Sequence, residues 1–373
     1  MDDISHSRLD SVSTASGTIA PTLRQVLVDS FPLRFFYIYA GIICFFGATV
    51  AVVTNLYGAG FTASSNLYSP PMHSALKFFV GGFLVWRTCY VMFAIRPARL
   101  FYTIWIDLKN SLLSSGRLMS ALPVLLLLTM FFSFFTSAKN LITIIQPFNF
   151  DPLLSEIDRT IHFGRHPWEW LFPVLGTAKT TSNISLAYKF WFLIKFMVCF
   201  WQAFSTSRPQ LRAQFFVSFI LCWILVGTIM ATLLSSAGPC FFASVYPDLH
   251  NPYGELMSYL RTSNELFPVH DLFSMDYLWR AYVARENAIF SGISAMPSMH
   301  VSITCLFALL AWRVNRILGI LFTLYLLVIL VGSVFLAWHY AVDGYIAIIV
   351  TLAIWWLVGR IFPPDDTQER AAS

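Results

Sequence analysis

Eight apolar runs, most of them about twenty residues long, decide what this chain can fold into. They are Phe35–Tyr57, Ser74–Ile95, Leu118–Ala138, Leu186–Phe204, Gln214–Ser236, Pro297–Trp312, Ile317–Trp338 and Tyr340–Phe362. Roughly twenty apolar residues in a helix cross the hydrocarbon core of a bilayer. Inside that core the backbone must satisfy its own hydrogen bonds, so helices are the expected answer. The expected fold is all-α: a polytopic membrane helical bundle of about eight transmembrane helices. The composition agrees, with 57% hydrophobic and 12% charged residues and a mean hydropathy of +0.67. The net charge of +5 is spread among apolar helices without a basic patch, which excludes nucleic acid as a partner. Six cysteines, at 44, 89, 199, 222, 240 and 305, show neither metal spacing nor a disulfide framework and read as packing residues.

Lysines and arginines in the connections set the orientation. Thirteen, from Arg8 to Arg370, fall on one side, mostly in short segments; seven, from Lys139 to Arg285, fall on the other, in two long loops. The richer side should be cytoplasmic, with both termini there and the long loops facing the periplasm, cell exterior or an organelle lumen. Residues 1–33 read as a polar cytoplasmic tail with an interfacial helix at Leu23–Phe31, not as a cleaved signal peptide. Residues 34–117 hold two accessory spans and a cytoplasmic connection, 118–362 a six-helix core with outer loops 139–185 and 237–296, and 363–373 a second tail. Arg87, inside the second span, reads as a structural charge that pairs within the bundle or snorkels.

Two polar clusters interrupt the apolar pattern: Ser294-Ala-Met-Pro-Ser-Met-His300 and His339-Tyr-Ala-Val-Asp343. Between them a basic turn, Arg313–Arg316, folds two spans back on each other, so His300 and His339 return to one membrane face. His339 and Asp343 are four apart and can touch on one helix face. An Asp that holds one ring nitrogen leaves the other free as a nucleophile. A second His can pass a proton to a leaving oxygen. Pro297 suits a first helical turn, and the N–H groups of Ser298, Met299 and His300 would then face a phosphate oxygen. These parts add up to phosphoryl transfer without a metal or other cofactor.

The same two clusters resemble the type 2 phosphatidic acid phosphatase superfamily, and His-Tyr-x-x-Asp is similar to the inositol phosphorylceramide synthase branch. The resemblance implies that His339 attacks phosphorus, that Asp343 orients it and that His300 protonates the leaving group. Three departures stand out. Met299 replaces a Gly, Gly332 and Ser333 stand where Ser-Arg is usual, and the Lys, six residues, Arg-Pro motif is absent. The charge that grips phosphate must come from elsewhere. Arg280 and Arg285, ahead of the Pro-Ser-Met-His motif, are the candidates. Lys189 is a third, near the outer end of its span; Lys195, about 120° further round the helix, should not share its face.

In the first outer loop Leu153, Leu154, Ile157 and Ile161 recur at helical spacing before Trp168 and Trp170, as in a segment lying in the headgroup layer. His162 and His166 lack a third ligand and read as surface histidines rather than a metal site. Ser235-Ser-Ala-Gly-Pro-Cys-Phe-Phe242 resembles a small-Pro-aromatic element of the branch, or is a plain helix stop. Residues 243–296 are expected to form a lid. The resemblance implies a lipid phosphotransferase that moves a phosphoinositol-like headgroup from a phospholipid donor to a lipid hydroxyl acceptor, with sphingolipid synthesis as its type. Hydrolysis of a lipid phosphate or isoprenoid pyrophosphate is the alternative. A transporter is a remote third, since no inverted repeat is visible. The sequence says nothing of the oligomeric state.

Overall fold

The structure is a computed structural model that describes residues 33–59, 61, 69–112, 115–284 and 292–363. The helices are α1 (Leu33–Leu56), α2 (Ser69–Tyr90, extended by a widened turn at Val91–Ile95), α3 (Leu100–Leu112) and α4 (Ser115–Ile145). Then come α5 (Asp151–Ile161), α6 (Pro167–Leu175), α7 (Ala178–Phe204) and α8 (Pro209–Ile224, continued by a widened turn at Leu225–Met230). The last are α9 (Gly254–Leu266), α10 (His270–Ala284), α11 (Met299–Val314), α12 (Arg316–Phe335) and α13 (Ala341–Ile361). Seven are long and apolar enough to cross a membrane, and α11, with 16 residues, is a shorter apolar helix. The chain is thus a multi-pass helical bundle with no strand among the described residues. The expected interfacial helix at Leu23–Phe31 and both outer tails lie outside the described residues.

The core forms where α4, α7, α8, α11, α12 and α13 pack on one another, with α1 against α4 and α8 and α2 against α7. Its centre is aromatic: Phe131, Phe200, Phe215, Phe216, Phe219 and Phe307 are each less than 2% exposed. Edge-on ring pairs lock α4 to α8, as with Phe135 and Trp223 at 4.7 Å. The α11–α12 hairpin turns on one residue, Asn315, whose side chain accepts the N–H groups of Ile317 (2.8 Å) and Leu318 (3.4 Å). Arg313 and Arg316 flank that turn, so His300 and the end of α12 do come back together.

Several boundaries differ from the hydropathy reading. Helix α7 begins at Ala178, eight residues ahead of its apolar run, because Thr177 caps it by accepting Thr180 N–H. Helix α4 continues through Lys139 to Ile145, which puts that lysine in a helix and not in a loop. Helix α3 fell in a segment read as a connection. Its thirteen residues are too few to span, and Phe101, Tyr102 and Trp105 are exposed, the pattern of a helix lying along an interface. Asp107 of α3 accepts two hydrogen bonds from Arg87, one at 2.8 Å from Nε, so the charge inside α2 is paired. Arg212, counted among the connection charges, is buried and donates to the Ser120 carbonyl at 2.8 Å, joining α8 to α4.

The Gly238-Pro239 element is more than a helix stop. Helix α8 has already broken at Leu234, and Gly238 adopts φ 97° beside the loop before α13. A Cβ there would lie 2.6 Å from the Trp338 carbonyl oxygen. Cys240 N–H then donates to the Ala337 carbonyl at 2.8 Å. Substitution of Gly238 by Ala should therefore strain the backbone and displace Trp338, costing about 1–3 kcal/mol. Thermal unfolding in detergent should show a lowered midpoint; an unchanged midpoint would mean that the loop yields freely.

Candidate active site

Helix α12 ends at Phe335, and the five residues from Leu336 to Tyr340 form a tight loop into α13. Ala337 takes a positive φ of 60°, and the N–H groups of Trp338 and His339 both donate to the Ser333 carbonyl at 3.0 Å. Helix α13 starts only at Ala341, so His339 precedes it instead of sharing a helical face with Asp343. The two meet through the helix cap. Asp343 Oδ2 accepts the Tyr340 N–H at 3.0 Å and lies 3.3 Å from His339 Nδ1. With Nδ1 occupied, Nε2 is the ring nitrogen left for chemistry. Both residues are buried, and Asp343 Oδ1 has no hydrogen-bond partner among the described residues.

His300 sits in the first turn of α11. Ser298 caps that helix, its hydroxyl accepting Val301 N–H at 3.5 Å. The His300 ring stacks on Tyr188 at 4.6 Å and packs against Trp191 at 4.1 Å and Phe192 at 5.7 Å. Its centroid is 6.5 Å from that of His339, and its Nε2 is buried without a partner among the described residues. Ser298 N–H, expected to face phosphate, is instead taken by the Asp343 carbonyl at 3.2 Å, and Ser298 is wholly buried. Pro297 likewise lies ahead of the helix and not in its first turn. Met299, in place of a glycine, fills space left by Gly227, where a Cβ would come within 2.9 Å of its sulfur.

Both histidines line a cavity of about 670 Å³ between α4, α7, α8, α10 and α11. Met299, Trp338 and three lysines, Lys139, Lys189 and Lys195, share its wall. Lys189 and Lys195 reach one cavity despite their angular separation, because Tyr188, Lys189, Trp191, Phe192 and Lys195 all face it: the cavity covers a broad arc of α7. Lys189 Nζ donates to Ser274 Oγ at 2.6 Å and lies 3.4 Å from Asp271 Oδ1. The same Oδ1 accepts Trp338 Nε1–H at 2.8 Å, so α10 ties α7 to the His339 loop. Of residues 243–296, His270, Asp271, Phe273, Ser274, Tyr277, Leu278 and 292–294 line the cavity. Arg280 does not take part: it is exposed, and its Nε donates to the Asp276 carbonyl at 3.2 Å, one turn back on its own helix. Arg285 lies outside the described residues.

Helix α5 turns a different face inward from the one its apolar spacing suggested. Leu153 and Ile161 are about half exposed, while Asp151, Leu154, Ser155 and Asp158 are buried. Asp158 accepts the N–H groups of Ala341 (2.6 Å) and Val342 (2.9 Å), the first two of α13. Asp151 accepts those of Ala237 (2.9 Å) and Gly238 (2.7 Å) and the hydroxyls of Tyr340 (2.9 Å) and Tyr246 (3.2 Å). Burial pushes both carboxyls above the usual carboxylate range, and the donated hydrogen bonds act against it. His162 joins this helix to α13 through Tyr345 at 3.0 Å, and His166 is buried where it caps α6, so neither is a loose surface histidine. Among the described residues no three His, Cys, Asp or Glu side chains form a metal-holding group.

Asp158→Ala should leave two N–H groups of α13 without their acceptor and cost about 1–2 kcal/mol. The unfolding midpoint in detergent should fall, and Asp158→Glu should recover less of it than a flexible surface cap would. A midpoint equal to that of the parent would show that water replaces the carboxylate.

A model of the PAP2 superfamily matches residues 152–357, more than half of the chain, from the first carboxylate helix into the last part of α13. No curated protein and no solved structure matches it. The two histidines, Asp343 and the carboxylates that brace them all fall within or next to the matched stretch. The chain belongs to the PAP2 superfamily, whose members are phosphatases and phosphotransferases.

Proposed function

We propose that the protein is a membrane phosphotransferase that moves a phosphorylated headgroup, phosphoinositol-like, from a phospholipid to a lipid hydroxyl through a phosphohistidine at His339. One observation carries the reading: an imidazole held by a carboxylate at 3.3 Å faces a second imidazole 6.5 Å away across a shared cavity. In the first step His339 Nε2 forms a bond to phosphorus as the bond to the donor's alcohol oxygen breaks, and His300 gives that oxygen a proton. In the second step the acceptor hydroxyl passes its proton to His300 as its oxygen attacks phosphorus, and the P–N bond breaks. Asp343 holds the ring of His339 and offsets the positive charge that it carries between the steps. The acceptor is read as a lipid and not water because Tyr188, Trp191, Phe192 and Trp338 wall the cavity beside the histidines.

The test is product analysis with purified protein and labelled phospholipid, with and without a ceramide or diacylglycerol acceptor. A new acceptor-dependent phospholipid or sphingolipid supports the reading; released headgroup phosphate with no acceptor product replaces it with hydrolysis. His339→Asn should abolish an acid-labile phosphoprotein and lower turnover by roughly a thousand-fold or more. His300→Ala should lower it by roughly a hundred- to ten-thousand-fold. Activity should persist in a chelator.

The same reading puts both termini in the cytosol and the cavity at the opposite face, supported by Arg313 and Arg316 at the far end of α11 from His300. A cysteine introduced at the exposed Ser258 should react with an impermeant reagent added outside the cytosol, above the background of exposed Cys44 and Cys89. Labelling from the cytosolic side alone would invert the topology.

A further inference from the structure

Two polar atoms in the cavity wall have no part in the steps above. The Tyr188 hydroxyl and Asp271 Oδ2 are both buried, and neither has a hydrogen-bond partner among the described residues. Tyr188 is 3% exposed and Asp271 is wholly buried. Buried polar groups are almost always paired, and an unpaired carboxylate oxygen is among the costliest to leave so. We infer that these two groups form a subsite for an alcohol hydroxyl of the lipid substrate, with the carboxylate accepting its O–H and the tyrosine donating to its oxygen. The subsite rests on the phosphoryl-transfer reading above and adds to it the residues that select the substrate.

Asp271 stands in the first turn of α10, and its other oxygen is already engaged. Oδ1 accepts Trp338 Nε1–H at 2.8 Å and lies 3.4 Å from Lys189 Nζ. That ammonium balances the carboxylate, so Oδ2 keeps its lone pairs but needs no second cation. Tyr188 is the neighbour of Lys189 on α7, and its ring stacks on His300 at 4.6 Å. Gly332 of α12 leaves room for the same ring: a Cβ there would come 3.4 Å from it. The phenol is thereby placed beside the imidazole that handles the substrate's proton. Among the carboxylates, Asp271 acts on the Tyr188 hydroxyl more strongly than Asp343 does.

The chemistry of the pair decides what it can hold. A carboxylate only accepts hydrogen bonds, whereas a phenol can donate one. An alcohol answers both with a single oxygen. An ammonium headgroup has no lone pair for the tyrosine and would set a second cation beside Lys189. An ionised phosphate oxygen has no proton for the carboxylate and is repelled by it. A substrate lacking the alcohol would leave both groups unpaired, which is how a polar pocket rejects a deoxy analogue. The hydroxyl can belong to a polyhydroxylated headgroup on the donor or to the acceptor lipid.

Calorimetric titration of the full-length protein in a nonionic detergent, with two matched pairs of short-chain lipids, separates these sources. One pair is dioctanoyl phosphatidylinositol and dioctanoyl phosphatidylcyclohexanol, which carries the same ring without hydroxyls. The other is hexanoyl ceramide and its counterpart without the primary hydroxyl. The parent should prefer the hydroxylated member of one pair by about a hundredfold or more, and that pair names the source. Tyr188→Phe removes only an unpaired hydroxyl, so the unfolding midpoint should hold while the preference falls about three- to tenfold. Asp271→Asn should lower it about ten- to a hundredfold. A merely structural loss would weaken both members alike and leave the ratio intact. The subsite is overturned if the parent prefers neither hydroxylated lipid, or if the ratio survives either substitution in a protein that still unfolds cooperatively. A ratio that tracks both residues in a protein with no transfer or hydrolysis activity would sink the functional reading and leave the subsite standing.

Discussion

The first turn of α13 is the point on which the site depends. A helix start leaves four N–H groups without partners, and here they lie beside His339. Three carboxylates converge on that start. Asp343 takes the N–H of Tyr340, Asp158 takes those of Ala341 and Val342, and Asp151 takes the hydroxyl of Tyr340. A neutral serine could cap the helix, but it could not also balance charge on the His339 ring. The carboxylate of Asp343 does both with one oxygen, so the cap and the orientation of His339 are a single arrangement.

Helix length adds a second constraint. At about 1.5 Å per residue, the 16 residues of α11 rise roughly 24 Å, while the 20 of α12 rise roughly 30 Å. The two start together at Asn315, so the upper end of α11, with His300, stops about one turn short of the end of α12. Residues 292–294, Pro297 and α10 line the cavity at that level, while none of the described residues of α12 is in its wall. Both histidines stand at that wall because His300 opens α11 and His339 follows the end of α12.

The membrane helical bundle, the hairpin and the approach of His300 to His339 and Asp343 were legible in the sequence, because each depends on apolar length and on spacing along one or two elements; the short helix α3 was not. What was not legible depends on which face of an element turns inward. In α5 the apolar residues suggested one face, yet two carboxylates occupy the buried one, since backbone N–H groups 86 to 184 residues away complete them. Lys139 was assigned to a loop because hydropathy falls at Lys139-Asn140, although the helix runs on to Ile145. Arg280 looked suitable by its position ahead of the motif, but on α10 it lies on the outward face. Angular arithmetic separated Lys189 from Lys195 correctly and still misjudged them, because a cavity can be wider than a helix face.

Asp271 of α10 holds two parts of the site at once. Lys189 and Trp338, both held by Asp271 of α10, fasten α7 to the His339 loop. The α7 wall of the cavity and the placement of His339 thus depend on the same helix, and a change that lifted α10 would loosen both at once.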